Sequence, residues 1–519
     1  MAEDTHANEL PPLRGRALFF AAVSLALATF MNVLDVTIAN VSIPAISGNL
    51  GVSPTQGTWI ITSFAIANAI GVPLTGWLAQ RFGSVRLFVT SVLLFTTASF
   101  LCGLSTSLPM LLFFRVVQGL VAGPMIPISM ALLLQSFPRE KAGMGLAVWS
   151  MTALVGPVTG PILGGWLTDN LSWPWIFYIN IPVGLITAWS AWTVLHKRES
   201  ATRKVPIDKI GLVLLVIWVG ALQIMLDKGR ELDWFNSGVI TLLAAVAFIG
   251  FCTFLVWELT EKHPVVDLRF FKRRNFALGA TALSIGYGLY FGNLVLLPLW
   301  LQQYMGYTAT WAGMVTAPAA FVALVASPVV GKYIGKVDAR ALATIGFIGL
   351  SSMSLMRSGF NTNLDVDALL WPQIAQGIGV GAFFIPLTTI LLSGMPSSMV
   401  PQASGLSNFM RTTASAFGAS LATTIWDNRT SLHHARLVES IQTYNLPAHQ
   451  AVDGLTALGL NTQQALGVIE HQLTIQAAML GIDDFFRLSG YLCLSVIPLI
   501  WLTKPNKTAG AAPVHAVAE

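Results

Sequence analysis

Fourteen stretches of this 519-residue chain are long and apolar enough to cross a lipid bilayer, and that pattern leaves few folds open. A hydrocarbon core about 30 Å thick takes roughly 20 helical residues to span. The stretches lie near 17–43, 57–79, 85–105, 109–135, 142–167, 174–195, 209–226, 236–257, 276–302, 310–332, 340–357, 369–393, 402–426 and 487–503. Lipid offers no partner to backbone N–H and C=O groups, so segments of this length must satisfy them internally, as α-helices. Only 10% of the residues are charged, against about 25% in soluble domains. The expected fold class is therefore an all-α polytopic membrane protein with 14 transmembrane helices.

The net charge of +5 raises nucleic acid as a partner, and the distribution of the basic residues answers it. With the N-terminus cytoplasmic, 21 of the 29 Lys and Arg fall in inside segments, the asymmetry that sets membrane orientation. Lys228, Arg230, Arg357, Arg429, Arg436 and Arg487 fall outside, and Arg115 and Arg411 fall within spans. The basic balance thus reads as topology, with both termini cytoplasmic and no nucleic acid partner. Cys102, Cys252 and Cys493 lie in apolar runs and read as small buried hydrophobes. His433 and His434 sit in a polar segment without metal-ligand spacing and read as part of a solvated loop. No GxxxxGK[ST] phosphate loop occurs, which argues against ATP as the energy source.

The chain also repeats itself. "QGLVAGPMIPISMALLLQSFP" at 118–138 resembles "QGIGVGAFFIPLTTILLSGMP" at 376–396, an offset of eight helices. Two six-helix halves with an inserted pair explain that offset, and parallel repeats with a site at their interface are a transporter design. The expected division is a tail at 1–16, a first bundle at 17–195, linkers and two inserted helices at 196–275, a second bundle at 276–503, and a tail at 504–519. Within the second bundle, polar residues 427–486 face outward, with amphipathic helices expected at 431–442 and 462–480, either as a solvated cap or as a docking surface.

Against this apolar background a few polar residues stand out. "MNVLDVTIANVSIP" at 31–44 carries Asp35, with Asn32 and Ser42 on the same helical face. An ionised group at the bilayer centre costs about 2.5–3.5 kcal/mol and generally faces a bundle interior or a wet cavity. The proton affinity of such a carboxylate follows its surroundings, the property a proton carrier needs; the alternative is an Asp that only ties one helix to another. Arg115 shares a face with Gln118 in span 4, and Arg411 shares one with Ser404, Asn408 and Ser415 in span 13. Each arginine could tune the carboxylate or hold an anionic cargo, or simply bind helix-end carbonyls. "GPVTGPILGG" at 156–165 places Gly156, Gly160 and Gly164 at every fourth residue, which allows close helix approach. Its paired Pro157 and Pro161 favour a specialised hinge or seal. "GWLAQRFGSVR" at 76–86 reads as a tight turn, either a positively charged anchor or a gate between bundles.

Together these segments resemble the major facilitator superfamily, in its fourteen-span drug:proton antiporter branch. "LDVTIANVSIP" is similar to that branch's span 1 motif, "RVVQGLVAG" to its span 4 motif, and "GPVTGPILGG" to its antiporter motif. "LQIMLDKGRELDWF" and "GYTATWAG" further resemble Emr-type inner-membrane subunits of tripartite multidrug exporters. The resemblance implies that Asp35 couples protons with Arg115. It implies that Gly156, Pro157, Gly160, Pro161, Gly164 and Gly165 form the antiporter motif. Gly76, Arg81, Gly83 and Arg86 would form the gating loop, where Gln80 replaces the usual acidic residue. Asn32, Gln118, Asn408 and Arg411 are the candidate cavity residues. No cofactor is expected beyond the proton gradient. The partners implied are hydrophobic small molecules, protons, the lipid bilayer, a periplasmic adaptor and an outer-membrane channel, with the chain in the inner membrane. A proton-coupled uptake symporter of the same fold and a non-transporting sensor are the rival readings. Neutralising Asp35 is expected to abolish coupled export while leaving expression nearly normal.

Overall fold

The computed structural model describes residues 13–138, 141–203, 206–262, 264–362, 364, 366–396, 399–439, 441 and 446–505. Most of both predicted tails lies outside these residues. The first half runs through α1 (Gly15–Leu50), α2 (Pro54–Gly57), α3 (Trp59–Gly71), α4 (Thr75–Phe82), α5 (Ser84–Gly103), α6 (Leu108–Ala122), α7 (Met125–Ser136), α8 (Ala142–Asn170), α9 (Trp175–Tyr178) and α10 (Asn180–Leu195). The inserted pair is α11 (Lys209–Lys228) and α12 (Gly238–Thr260). The second half comprises α13 (Arg274–Tyr304), α14 (Ala309–Tyr333), α15 (Ala339–Arg357), α16 (Val366–Leu392), α17 (Val400–Val438), α18 (Leu446–Ala457) and α19 (Thr462–Trp501). No strand occurs among the described residues.

Eleven of these helical segments are long and apolar enough to cross a membrane, and α3 with α4 makes a twelfth, bent by 59°. The two remaining spans of the sequence reading are α8 and α17. Both are long enough, but α17 in particular is too polar along its length to qualify by hydropathy, because much of it packs on other helices instead of lipid. With them the helices are consistent with the fourteen expected.

Two of the spans break at glycine and proline, and the breaks meet. The α3–α4 bend follows Gly71, and α6 gives way to α7 at Gly123 and Pro124. A Cβ on Gly71 would stand 2.5 Å from the Leu120 carbonyl oxygen, and one on Gly123 would stand 2.5 Å from the Gly71 carbonyl carbon. Only glycine lets these two backbones touch. The carbonyl of Ala122 at the α6 break receives Nδ2 of Asn32 at 3.0 Å, the re-satisfaction that a broken helix in lipid requires.

The internal repeat holds in three dimensions. In the register that places Gln118 on Gln376, the starts of α6 and α8 fall on the starts of α16 and α17. The same register places Gly160 on Gly418, and both sit at tight crossings. A Cβ on Gly160 would stand 2.1 Å from Oγ1 of Thr37, and one on Gly418 would stand 2.0 Å from the Gly288 carbonyl oxygen. The α1–α8 seam of the first half is thus rebuilt as α13–α17 in the second.

Three sequence expectations change. Polar residues 427–486 continue the spans: α17 and α19 run on unbroken past the apolar stretches, with exposed α18 between them. His433 and His434 belong to α17, where they meet Asp484 at 2.9 Å and Glu470 at 2.8 Å on α19. Cys252 is exposed on α12, while Cys102 and Cys493 are buried.

Candidate functional site

Asp35 is fully buried near the middle of α1, and three donors converge on its carboxylate. Nη1 of Arg115 donates to Oδ2 at 2.5 Å. Nε2 of Gln118 and Nδ2 of Asn180 donate to Oδ1 at 2.9 and 3.0 Å. The spacing of three that puts Arg115 and Gln118 on one face of α6 lets both reach the same carboxylate, and Oε1 of Gln118 accepts from Arg115 at 2.8 Å. The arginine is fixed in turn by Nε, which donates to the Ile60 carbonyl at 3.0 Å, and by the Phe64 ring, 4.3 Å from the guanidinium. Its Nη2 has no partner among the described residues.

This is a buried, bidirectionally braced ion pair. Breaking such a pair by removing one partner costs about 3–5 kcal/mol. All of the carboxylate's contacts are donors, so none can accept a carboxyl proton. A further group therefore reaches the carboxylate only if Arg115 or an amide moves away.

Asn180 and Ser99 complete the cluster and were not singled out in the sequence. Asn180 also donates to Oγ of Ser99 at 3.0 Å, and Ser99 donates to the Phe177 carbonyl at 2.9 Å. The signal was "YINIP" at 178–182, an amide at the head of an apolar helix, read by the rule that picked out Asp35. Asn32 does not join the carboxylate; it caps the α6 break. Ser42 pairs with Thr168 of α8 at 2.8 Å.

The glycines at 156–164 form the seam between α8 and the helix that carries Asp35. Cβ atoms on Gly156, Gly160 and Gly164 would meet Val33, Thr37 and Ile38 at 2.6, 2.1 and 2.7 Å. Thr37 donates to the Gly156 carbonyl at 3.3 Å. Gly165 faces open space, outside this seam. The backbone of Pro157 and Pro161 runs within α8, and their side chains lie outside the described ones. The other side of α8 meets the second half: a Cβ on Gly143 would stand 2.7 Å from the Gly331 carbonyl oxygen.

Arg411 does not approach Asp35. It donates to Oη of Tyr287 at 3.2 Å and to Asn408, with its guanidinium 4.6 Å from the Tyr287 ring centre. Together with Trp149, stacked on Phe384 at 5.4 Å, it borders a cavity of about 10 Å³ between the halves, no larger than a single water needs. A cavity of about 420 Å³ between α17 and α19 borders none of the predicted site residues.

In the 76–86 turn, Gly83 has φ +89° and a Cβ there would run into the Glu199 carboxylate at 2.4 Å. Glu199 accepts from the amides of Val85 and Arg86, each at 2.9 Å, at the start of α5, and lies 3.9 Å from the Arg86 side chain. The acid absent at Gln80 is thus supplied from the segment after α10. Gly76 packs on Gln402 of α17, where its Cβ would stand 2.5 Å from the Gln402 Cγ, so this turn touches the second half. Arg81 lies 5.5 Å from the Trp77 ring centre. Arg357, which the topology reading puts in an outside segment, is buried at the end of α15.

The comparisons with known proteins agree with this architecture. The model of the Major Facilitator Superfamily matches residues 25–419. The multidrug export protein EmrB of Escherichia coli (strain K12) is 49% identical over 500 residues, covering 96% of this chain and 98% of that protein. The fatty acid resistance protein FarB of Neisseria gonorrhoeae is 47% identical over 502 residues, covering 97% and 99%. Among solved structures, the proton:xylose symporter XylE bound to 6-bromo-6-deoxy-D-glucose superposes with a TM-score of 0.58. It covers 93% of this chain and 95% of its own at 14% identity, a likeness of fold alone. On the family match and these full-length relatives, the chain belongs to the major facilitator superfamily of membrane transporters.

Proposed function

We propose that this transporter is a proton-coupled antiporter that exports hydrophobic and amphiphilic compounds from the cytoplasm, with both termini cytoplasmic. The observation that carries the reading is the Asp35 cluster. Its carboxylate is sealed by donors from α6 and α10 and sits on the helix clasped by the α8 glycines. Protonating Asp35 releases Arg115, and release loosens α1 against α6. Cargo and proton then bias the same equilibrium in opposite directions, each through its different affinity for the two states. One charge moving down 100 mV supplies about 2.3 kcal/mol, enough for a concentration ratio of about fifty. Gly165 serves the motif by exposure and not by packing on α1. The names of the two relatives, multidrug export and fatty acid resistance, support amphiphilic cargo. A periplasmic adaptor and an outer-membrane channel complete the pathway, and the proton gradient is the only energy source.

The test uses purified protein in liposomes with an imposed pH gradient, following a hydrophobic cationic dye and internal pH together. The antiporter moves dye against the proton flux. Dye moving with the protons would make the protein a symporter and overturn the reading.

A further inference from the structure

The repeat register that pairs Gln118 with Gln376 also places Asp35 on Asn293, Ser99 on Arg357 and Arg115 on Gln373. The second half therefore carries a counterpart of the proton cluster, assembled from the equivalent helices but with altered charge. The cation has moved from the span 4 position to Arg357 on α15. The carboxylate has become an amide, Asn293, which donates to Ser489 of α19 at 2.8 Å, much as Asp35 meets Asn180 of α10.

Arg357 is only 1% exposed. Its Nη2 donates to Oε1 of Gln373 at 3.1 Å and to Oε1 of Gln376 at 2.5 Å, and the Phe486 ring lies 5.7 Å away. Nε, Nη1 and Nε2 of Gln373 have no partner among the described residues. No carboxylate of the described residues pairs with it. A buried guanidinium without a counter-ion is costly, and two free N–H groups on one planar fork match the two oxygens of a carboxylate. On α13, Tyr290 lies with its ring 6.3 Å from that of Tyr287, the tyrosine to which Arg411 donates.

We infer that Arg357, with Gln373 and Gln376, is an anion subsite of the second half that receives the carboxylate of an amphiphilic acid. The inference rests on the export reading and adds to it the residues that would distinguish acidic from neutral cargo. The first half keeps its carboxylate and exchanges a proton on it; the second half lacks one and takes it from the cargo.

The experiment measures binding of decanoate and of its uncharged analogue decanamide to purified protein in zwitterionic-lipid nanodiscs. Wild type favours decanoate. Arg357→Gln weakens decanoate about 10- to 100-fold, the worth of charge-assisted hydrogen bonds, and leaves decanamide within about twofold. Gln376→Glu gives the same result by supplying an internal carboxylate, and it decides the matter if Arg357→Gln does not fold. Arg357→Lys, which keeps the charge without the fork, recovers part of the preference. Unchanged decanoate binding in folded Gln376→Glu protein, or equal loss of both ligands, overturns the subsite. So does an acid preference that disappears whenever anionic lipid is present, because the occupant is then a headgroup. Dye export by wild type in the same preparation separates the two claims: if it persists while decanoate ignores Arg357, the subsite fails and the export reading stands.

Discussion

At Asp35 the strongest physical statement is also the least convenient for a simple mutagenesis test. The sequence reading expects neutralising this residue to abolish coupled export while leaving expression nearly normal. The structure adds a stability cost, because Asp35→Asn strands Arg115 in a site with no exposure, worth about 3–5 kcal/mol. We expect Asp35→Asn to lower the thermal unfolding midpoint clearly, and Asp35→Asn/Arg115→Gln to recover most of it. An Asp35→Asn protein as stable as wild type would show that the pair contributes little. Asp35 and Arg115 were legible because charge inside an apolar run is conspicuous. Asn180 and Ser99 were not, because neutral polar residues in membrane helices are common and their partners come from distant helices. The burial of Arg357 was not legible either: it ends its helix, where the sequence does not distinguish a buried terminus from an exposed one.

Among the helices, the α1–α8 seam offers the sharpest contrast. Gly160 and Gly165 belong to one motif but face different surroundings. Gly160→Ala drives a methyl into Thr37, and overpacking of this kind costs about 1–3 kcal/mol. Gly165→Ala meets nothing within 4 Å and should leave stability unchanged. Thermal unfolding of the two variants side by side checks this, and equal effects would contradict the assigned facing. Helix existence was readable from hydropathy, and the glycine period correctly announced a tight crossing. The partner across it was not readable, since spacing gives a face but not a neighbour. Helix within 427–486 was readable at 431–442 and 462–480, but not that it continues α17 and α19, because polarity reports solvent and says nothing about backbone hydrogen bonds.

For the whole molecule, contacts between the halves gather at Gly76 with Gln402, Gly143 with Gly331 and Trp149 with Phe384. The inserted pair bridges both halves as well: Lys228 of α11 donates to Thr58 at 3.1 Å, and Ser420 of α17 donates to the Leu226 carbonyl at 2.9 Å. Alternating access requires the first set to part. A Cβ on Gly76 would stand 3.1 Å from that of Gln402, close to the 3.5–4.5 Å of a disulfide. Gly76→Cys/Gln402→Cys, in a background lacking the three native cysteines, should lose transport on oxidation and regain it on reduction; full transport by the oxidised protein would contradict a gate here. The repeat was visible in "QGLVAGP" and "QGIGVGA", yet its chemical asymmetry, a carboxylate in one half and a lone guanidinium in the other, lies outside that motif and shows in the side-chain contacts of the fold. The central claim is that cargo and proton exchange at Asp35. Its most direct test loads proteoliposomes with a hydrophobic cationic dye, imposes no pH gradient, and records internal pH as the dye leaves. Wild type should draw protons inward with dye efflux, while Asp35→Asn/Arg115→Gln lets dye pass without proton movement or not at all. Proton influx at the wild-type rate in that double variant would contradict the account.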